Sequence, residues 1–261
     1  MILFSINPSY GEFEDKNAGV RASAMGGAYT AVGDDAESVF YNPAGIGQNA
    51  EVAELSSMHT TLYGQKDLAY DYVTYSQPMM PFAIIQMSLE TFGGNLYKEK
   101  TTTLTVARQI AERYYLGASF KSLKTEIANT PDGSSYTGDL GFLMKFEDNF
   151  KIGFSILNFN NPIVNDVIPR TTKVGLAFKP MEKLTISLDY TKRRDEKDGS
   201  FSLGEEFKIN ENFYLRAGYI SRPSRVTAGF GFHIKSLKIN YAFRNHEDLD
   251  NTHRVSASLT F

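Results

Sequence analysis

The chain has 261 residues, a net charge of −3 and no cysteine. The slight acidic balance gives no global field for nucleic acid, and the lack of cysteine excludes disulfides and thiolate metal sites. The mean hydropathy of −0.30 fits a soluble protein, and equally a transmembrane β-barrel, where only every second strand residue meets lipid.

No run approaches the ~20 apolar residues of a membrane helix, so any embedding in a bilayer must be by barrel. The short apolar run Met1 to Phe4 lacks a basic region before it. Residues 1–17 read either as a secretory-signal remnant or as a leader outside the fold.

Residues 18–50 are rich in small side chains. Gly19 to Met25 reads as a short helix or compact coil broken at Gly26-Gly27. Asp34-Asp35 offers an N-cap, with Glu37 spaced as the far partner of a capping box. The helix begun there, Ala36 to Tyr41, must end before Pro43, because proline disfavours α conformation in the preceding residue. This segment is too short to hold a core alone and needs a surrounding wall.

From residue 51 onward the pattern is alternation. Leu184, Ile186, Leu188 and Tyr190 share one face, against Thr185, Ser187, Asp189 and Thr191. That period of two defines a strand with one apolar and one polar face. Tyr114 to Phe120, Tyr136 to Phe146, Phe150 to Ile156, Thr172 to Phe178, Val226 to Ile234, Leu237 to Arg244 and Val255 to Phe261 behave alike. Strands near Glu54, Tyr70, Ile85 and Leu104 are less regular, and Glu205 interrupts the apolar face of Phe201, Leu203 and Phe207. The candidates number about fourteen, most near the ~9–11 residues of a tilted membrane strand.

Tight links follow Phe146, Phe178, Phe207 and Ile234. Longer polar loops span Asn129 to Ser135, Asn158 to Pro169, Arg193 to Ser200 and Asn245 to Thr252. Short turns on one side and long loops on the other are the habit of outer-membrane barrels. Gly93-Gly94 marks a wall irregularity or a plain loop. Aromatics gather at strand ends, among them Phe146, Phe150, Phe178, Phe207, Phe213, Tyr114 and Tyr115. Interfacial girdles would place them there, and so would strand propensity.

Local alternation cannot separate a soluble sandwich from a membrane barrel turned inside out. Strand length and loop alternation favour the barrel. Its polar face would then line the lumen with Lys121, Lys145, Lys151, Lys173, Asp189, Glu206, Arg216, Lys238 and Arg244. Those charges either pair across the lumen and hold the N-terminal segment, or form a polar conduit or ligand site. A barrel of this size is too wide for side chains alone to fill, and residues 18–47 are the available filling.

No nucleotide loop, metal-ligand spacing or nucleophile elbow is present, so no catalytic residue, metal site or cofactor is expected. The four histidines, His59, His233, His246 and His253, are scattered, and only His233 reads as facing the lumen. The run Lys192 to Asp198 reads as a solvated outer loop.

Gly19-Val20-Arg21-Ala22, Ala24-Met25-Gly26-Gly27-Ala28, Asp34-Asp35-Ala36 and Asn42-Pro43-Ala44-Gly45 together resemble the N-terminal signature of PorV/PorQ-type proteins, within the FadL-like long-chain fatty acid transporter superfamily. The resemblance covers about thirty residues. It implies an all-β fold: a 14-stranded antiparallel transmembrane β-barrel in the outer membrane with an N-terminal luminal plug of short helices. The divisions would be 1–17 leader, 18–50 hatch and 51–261 barrel.

The hatch motif would be Arg21, Gly26, Gly27, Asp34, Asp35, Asn42, Pro43, Ala44 and Gly45, and Phe261 would serve as an assembly signal. The implied function is non-enzymatic: passing or binding hydrophobic small molecules at the outer membrane. The alternative is a protein-interaction component of a type IX-like secretion or surface-attachment system. Implied partners are outer-membrane lipid and either a hydrophobic ligand or a secreted protein cargo, with no nucleic acid.

Overall fold

The computed structural model describes Phe13 and residues 18–49, 51–80, 83–246 and 249–261. The leader reading of residues 1–17 therefore lies, Phe13 apart, outside the described residues. The strands are β1 (Glu54–Thr61), β2 (Ala69–Met80), β3 (Ala83–Gly93), β4 (Tyr97–Ala111), β5 (Tyr114–Ile127), β6 (Gly133–Glu147) and β7 (Phe150–Leu157). They continue with β8 (Thr171–Met181), β9 (Leu184–Arg193), β10 (Ser200–Lys208), β11 (Phe213–Ser221), β12 (Ser224–Ile234), β13 (Leu237–Arg244) and β14 (Thr252–Thr260).

These fourteen strands, counted among the described residues, form one closed antiparallel barrel in chain order. Antiparallel pairing of β1 with β14, from Glu54 opposite Thr260 to Thr61 opposite His253, closes it. Closure leaves no unpaired sheet edge.

Alternation decides what faces where. Along β9, Ser187 and Asp189 are 2% and 1% exposed, while Leu188 is 42% exposed. On β13 and β14, Ile239 and Leu259 are about 40% exposed, and Asn240 and Ser258 are 5% exposed. The polar set faces inward and the apolar set outward, the reverse of a soluble sandwich. An apolar belt this continuous is stable only against an apolar surrounding.

The irregular alternation of the first strands has a physical cause. On β1 to β4 the inner face carries Met58, Tyr70, Tyr72, Ile84 and Ala107, all buried. Met58, Tyr70 and Tyr72 pack on Ala18, Val20 and Ala24, and Ile84 and Ala107 pack on Ile46. Both faces of these strands are thus partly apolar, which blurs a period of two. Glu205 does face outward, between Leu203 and Phe207.

The loop alternation fails between β11 and β12, which are joined by Arg222-Pro223 alone. That turn is tied to its neighbour: Ser200 Oγ accepts from Arg222 N at 3.2 Å, and Ser221 Oγ accepts from Phe201 N at 2.8 Å. Gly93-Gly94 belongs to a plain turn between β3 and β4, with Gly94 N donating to Tyr97 O at 2.9 Å. Tyr115 does not join an outer girdle. Adjacent strand residues face opposite ways, so Tyr114 is outward while Tyr115 is buried with Ala44 and Leu143.

Candidate functional site

Residues 18–49 lie within the ring of strands, nearly all buried. They hold little regular structure: α1 (Val20–Ala24) and 3-10 turns at Ala36–Phe40 and Gly45–Asn49. Gly26 and Gly27 have φ of 65° and 75°, which ends α1. Asp35, rather than Asp34, caps Ala36–Phe40, its side chain accepting from Glu37 N at 3.1 Å.

The capping-box role expected of Glu37 does not occur. Its carboxylate instead accepts from Val20 N at 3.1 Å, Arg21 N at 3.0 Å and Tyr72 OH at 2.6 Å. The amides that open α1 have no partner within the helix, so a buried carboxylate beside them serves better than one bonded to its own turn.

Few backbone groups in this segment have sheet or helix partners, and buried backbone polar groups must be satisfied. Wall side chains do it. Asp189 Oδ2 accepts from Tyr29 N at 3.0 Å and Thr30 N at 2.9 Å. Ser155, Ser187 and Thr227 hydroxyls donate to the carbonyls of Tyr41, Ala28 and Ala24. Gln86 Nε2 donates to Ala36 O at 2.6 Å.

Asn42 works from the other side. Its Nδ2 donates to Thr30 O at 2.9 Å and Phe142 O at 3.0 Å, and its Oδ1 accepts from Ala44 N at 3.1 Å.

The electrostatic centre is Arg21. Its guanidinium forks onto Glu206, with Nε to Oε2 and Nη2 to Oε1 both at 2.8 Å. Its Nη1 reaches Asp34 at 2.6 Å and Asp35 at 3.1 Å. Glu206 also pairs with Arg216 Nε at 2.7 Å, and Arg216 Nη1 donates to Asn240 Oδ1. Burial alone would raise the Asp34 carboxyl, but Arg21 and Lys151 outweigh it and hold it far below the usual carboxylate range. Burial, then the nearby Asp35, pushes Glu37 up despite its three donors. Burial also lifts the Tyr29 hydroxyl well above its ordinary value.

The other residues expected on the inner face have these partners. Lys121 pairs with buried Asp139 at 2.6 Å. Lys145 sits 4.9 Å from the Tyr115 ring centre and Lys173 4.7 Å from that of Tyr41. Lys151 Nζ donates to Gln48 Oε1 at 2.6 Å, and Lys238 pairs with Glu54 at 3.2 Å. Arg244 is 5% exposed, at the loop end of β13, away from the Arg21 network. Phe261 is 67% exposed, just past β14, with its amide on Ala53 O at 2.9 Å.

Six wall glycines escaped the sequence reading. Gly117 faces Gly141, Gly153 faces Gly175, and Gly204 faces Gly218 across adjacent strands. A Cβ on Gly117 would strike Pro43 and Ala44; one on Gly141 would strike Asn42. Gly153 and Gly175 lie against Thr30, Gly204 against Met25, and Gly218 against Gly26. Inside the segment, Gly45 lies equally close to Gly33 O. The signal was present: each wall glycine falls in the inward phase of its strand, where a missing side chain makes room for a second backbone.

Cavities flank the segment. Toward the loops, a space of about 120 Å³ is lined by Phe40, Tyr70, Phe92, Leu123, Leu157 and Ile168, and also by polar groups including Glu90, Glu99, Lys121, Asn158 and Arg193. Tyr70 OH donates to Glu90 at 2.6 Å there. Toward the short turns, about 320 Å³ is lined by polar groups including Arg21, Glu37, Glu54, Glu206, His233 and Lys238.

No protein-family profile matches the sequence, and no curated protein matches it. Solved structures do match in fold. A TodX monoaromatic hydrocarbon channel mutant superposes with a TM-score of 0.74 at 13% identity, covering 94% of this chain and 99% of that one. The Ralstonia pickettii toluene transporter TbuX gives 0.67 at 13% identity, with 95% and 98% covered. A Pseudomonas aeruginosa FadL homologue gives 0.65 at 12% identity, with 94% and 97% covered.

The chain has the fold of FadL-like channels. Likeness at this identity speaks for fold alone. The narrower PorV/PorQ resemblance rests on residues 18–47.

Proposed function

We propose that this chain is an outer-membrane β-barrel of the fatty-acid-transporter type that binds or passes hydrophobic small molecules. In this reading residues 18–50 are its hatch, residues 51–261 its barrel wall, and the inward charges the clamps that seat the hatch. Outer-membrane lipid surrounds the apolar belt, and Phe261 serves as the assembly signal. The supporting observation is the loop-side cavity walled by Phe40, Tyr70, Phe92, Leu123, Leu157 and Ile168.

At about 120 Å³ it is close in size to the ~150 Å³ of an engineered cavity that takes benzene, with charged groups such as Glu90, Glu99 and Lys121 lining it beside the rings. That size favours a single small ring over a long acyl chain. The fold neighbours described as a monoaromatic hydrocarbon channel and a toluene transporter agree with it.

Calorimetric titration of the detergent-purified protein with toluene, and separately with palmitate, tests the proposal. Saturable toluene binding weakened about tenfold by Phe92→Asp or Leu157→Asp is expected. Absent binding of both ligands would refute it.

A second reading is the protein-interaction component of a type IX-like secretion or surface-attachment system. It is favoured by the PorV/PorQ-like signature and by how densely residues 18–49 are bonded to the wall, which suits a rigid scaffold more than a valve. A secreted protein that co-purifies from the native membrane, with no toluene binding, would select it.

A further inference from the structure

Strands β12, β13 and β14 bring three arginines to one place on the inner face at the loop end. Arg244 lies opposite Thr227, and Arg254 opposite Ala242. Arg225 and Arg254 are therefore the diagonal neighbours of Arg244 on either side. Arg244 and Arg254 are 5% and 1% exposed. Like charges at neighbouring cross-strand positions repel, and buried charges are expected to be paired.

The acidic residues of the adjoining loop are already occupied. Asp195 holds Arg193 at 2.9 Å, and Asp198 holds Arg222 at 2.8 Å. Among the described residues no carboxylate pairs with Arg225 or Arg244, and Arg244 Nη1 is buried with no hydrogen-bond partner. Arg225 and Arg244 face a chamber of about 240 Å³, which Lys173, Tyr63, Thr191, Ser200 and Ser202 also line, together with Glu196, whose carboxylate lies 3.5 Å from Arg193. Lysine and hydroxyl donors thus converge on the space the arginines enclose.

We propose that this chamber binds a tetrahedral oxyanion, a phosphate or sulfate group, with Arg244 and Arg225 as its principal ligands. A carboxylate matches one guanidinium fork. Two guanidiniums without acidic partners, ringed by hydroxyls, are better matched by a doubly charged group with oxygens on four sides. The group is either a free ion or the phosphate of a lipid. The site's principal ligands do not line the cavity walled by Phe92, Leu123 and Leu157, although Arg193 borders both spaces, so it does not depend on passage of hydrophobic molecules.

The test is calorimetric titration of the full chain in a non-ionic detergent at low salt, with thermal unfolding in parallel. Two probes are used: inorganic phosphate and dihexanoyl phosphatidic acid. The wild type is expected to bind one phosphate saturably and to unfold at a higher temperature when it is present. Arg244→Gln and Arg225→Gln should each weaken binding about tenfold or more, and should lose the phosphate-dependent shift. Arg108→Gln, outward-facing and near the short turns, should change neither.

Should Arg244→Gln fail to assemble, the partly exposed Arg225 still carries the test. Binding of phosphate but not the phosphatidic acid identifies a free ion; binding of both identifies a lipid-borne group. No binding of either probe, or binding unchanged in Arg225→Gln, overturns the proposal.

Discussion

Replacing Asn42 with alanine removes three hydrogen bonds at a position only 1% exposed. Two join separate parts of the structure, one to Thr30 O within the segment and one to Phe142 O in the wall. Water cannot readily replace any of them at that depth. At ~1 kcal/mol per bond the loss is ~3 kcal/mol. The proline ring of Pro43 and the contact of Ala44 with Tyr115 and Leu143 are untouched, so the barrel should still close.

The effect should therefore be local, favouring open states of the segment by about two orders of magnitude. Hydrogen exchange read by mass spectrometry on peptides covering 26–47 measures it directly. Those amides should exchange about a hundredfold faster, while β5 and β6 stay protected. Asn42→Asp keeps the acceptor for Ala44 N but turns an oxygen toward two carbonyls, so it should not rescue. Unchanged exchange in 26–47 would refute the view that this side chain pins the segment to the wall.

Glu206→Gln breaks the fork to Arg21 and the bond to Arg216, leaving two arginines under-neutralised inside the barrel. Unpairing a buried ion pair costs about 3–5 kcal/mol, read as faster proteolysis around α1; an unaltered digestion pattern would count against the clamp. Acid should act in two opposed stages. The raised Glu37 carboxyl binds its proton more tightly in the folded state, so its contribution is full below the ordinary glutamate value of about 4 and is lost as pH rises through its raised value.

The lowered Asp34 carboxyl contributes above the ordinary carboxylate value of about 4, and that contribution disappears as pH falls further. Thermal midpoints against pH should show the first stage absent in Glu37→Ala and the second absent in Asp34→Asn. Glu205→Leu should stabilise the assembled barrel in lipid by on the order of 1 kcal/mol, since a charge on a lipid-facing position is unfavourable. Equal or lower stability in denaturant titration would show that Glu205 has a partner or faces water.

The wall was legible where the two faces of a strand differ in kind. β9, β13 and β14 bury Asp189, Asn240 and Ser258 while exposing Leu188, Ile239 and Leu259, and a period of two reads directly from such strands. It became illegible where the inner face also meets protein. Tyr72 and Met58 point inward yet are apolar, because Val20 and Ala24 lie against them. A barrel filled by its own chain therefore writes a weaker pattern on the strands that touch the filling most through side-chain contact.

The same argument explains what stood in the sequence unrecognised. A period-two reading sorts residues into apolar and polar, and glycine counts as neither. Yet Gly117, Gly141, Gly153, Gly175, Gly204 and Gly218 all take the inward phase and all lie against residues 25–44. Around them, Ser155, Ser187, Asp189 and Thr227 bond main-chain groups of that segment. Room for a second backbone, with a polar group beside it to satisfy that backbone, is what an inner face needs in order to hold irregular chain. An empty aqueous lumen needs neither, and long inward side chains would suit it equally well. The inner face is therefore fitted to a chain it encloses, and the clamp residues Arg21 and Asn42 are that chain's half of the fit.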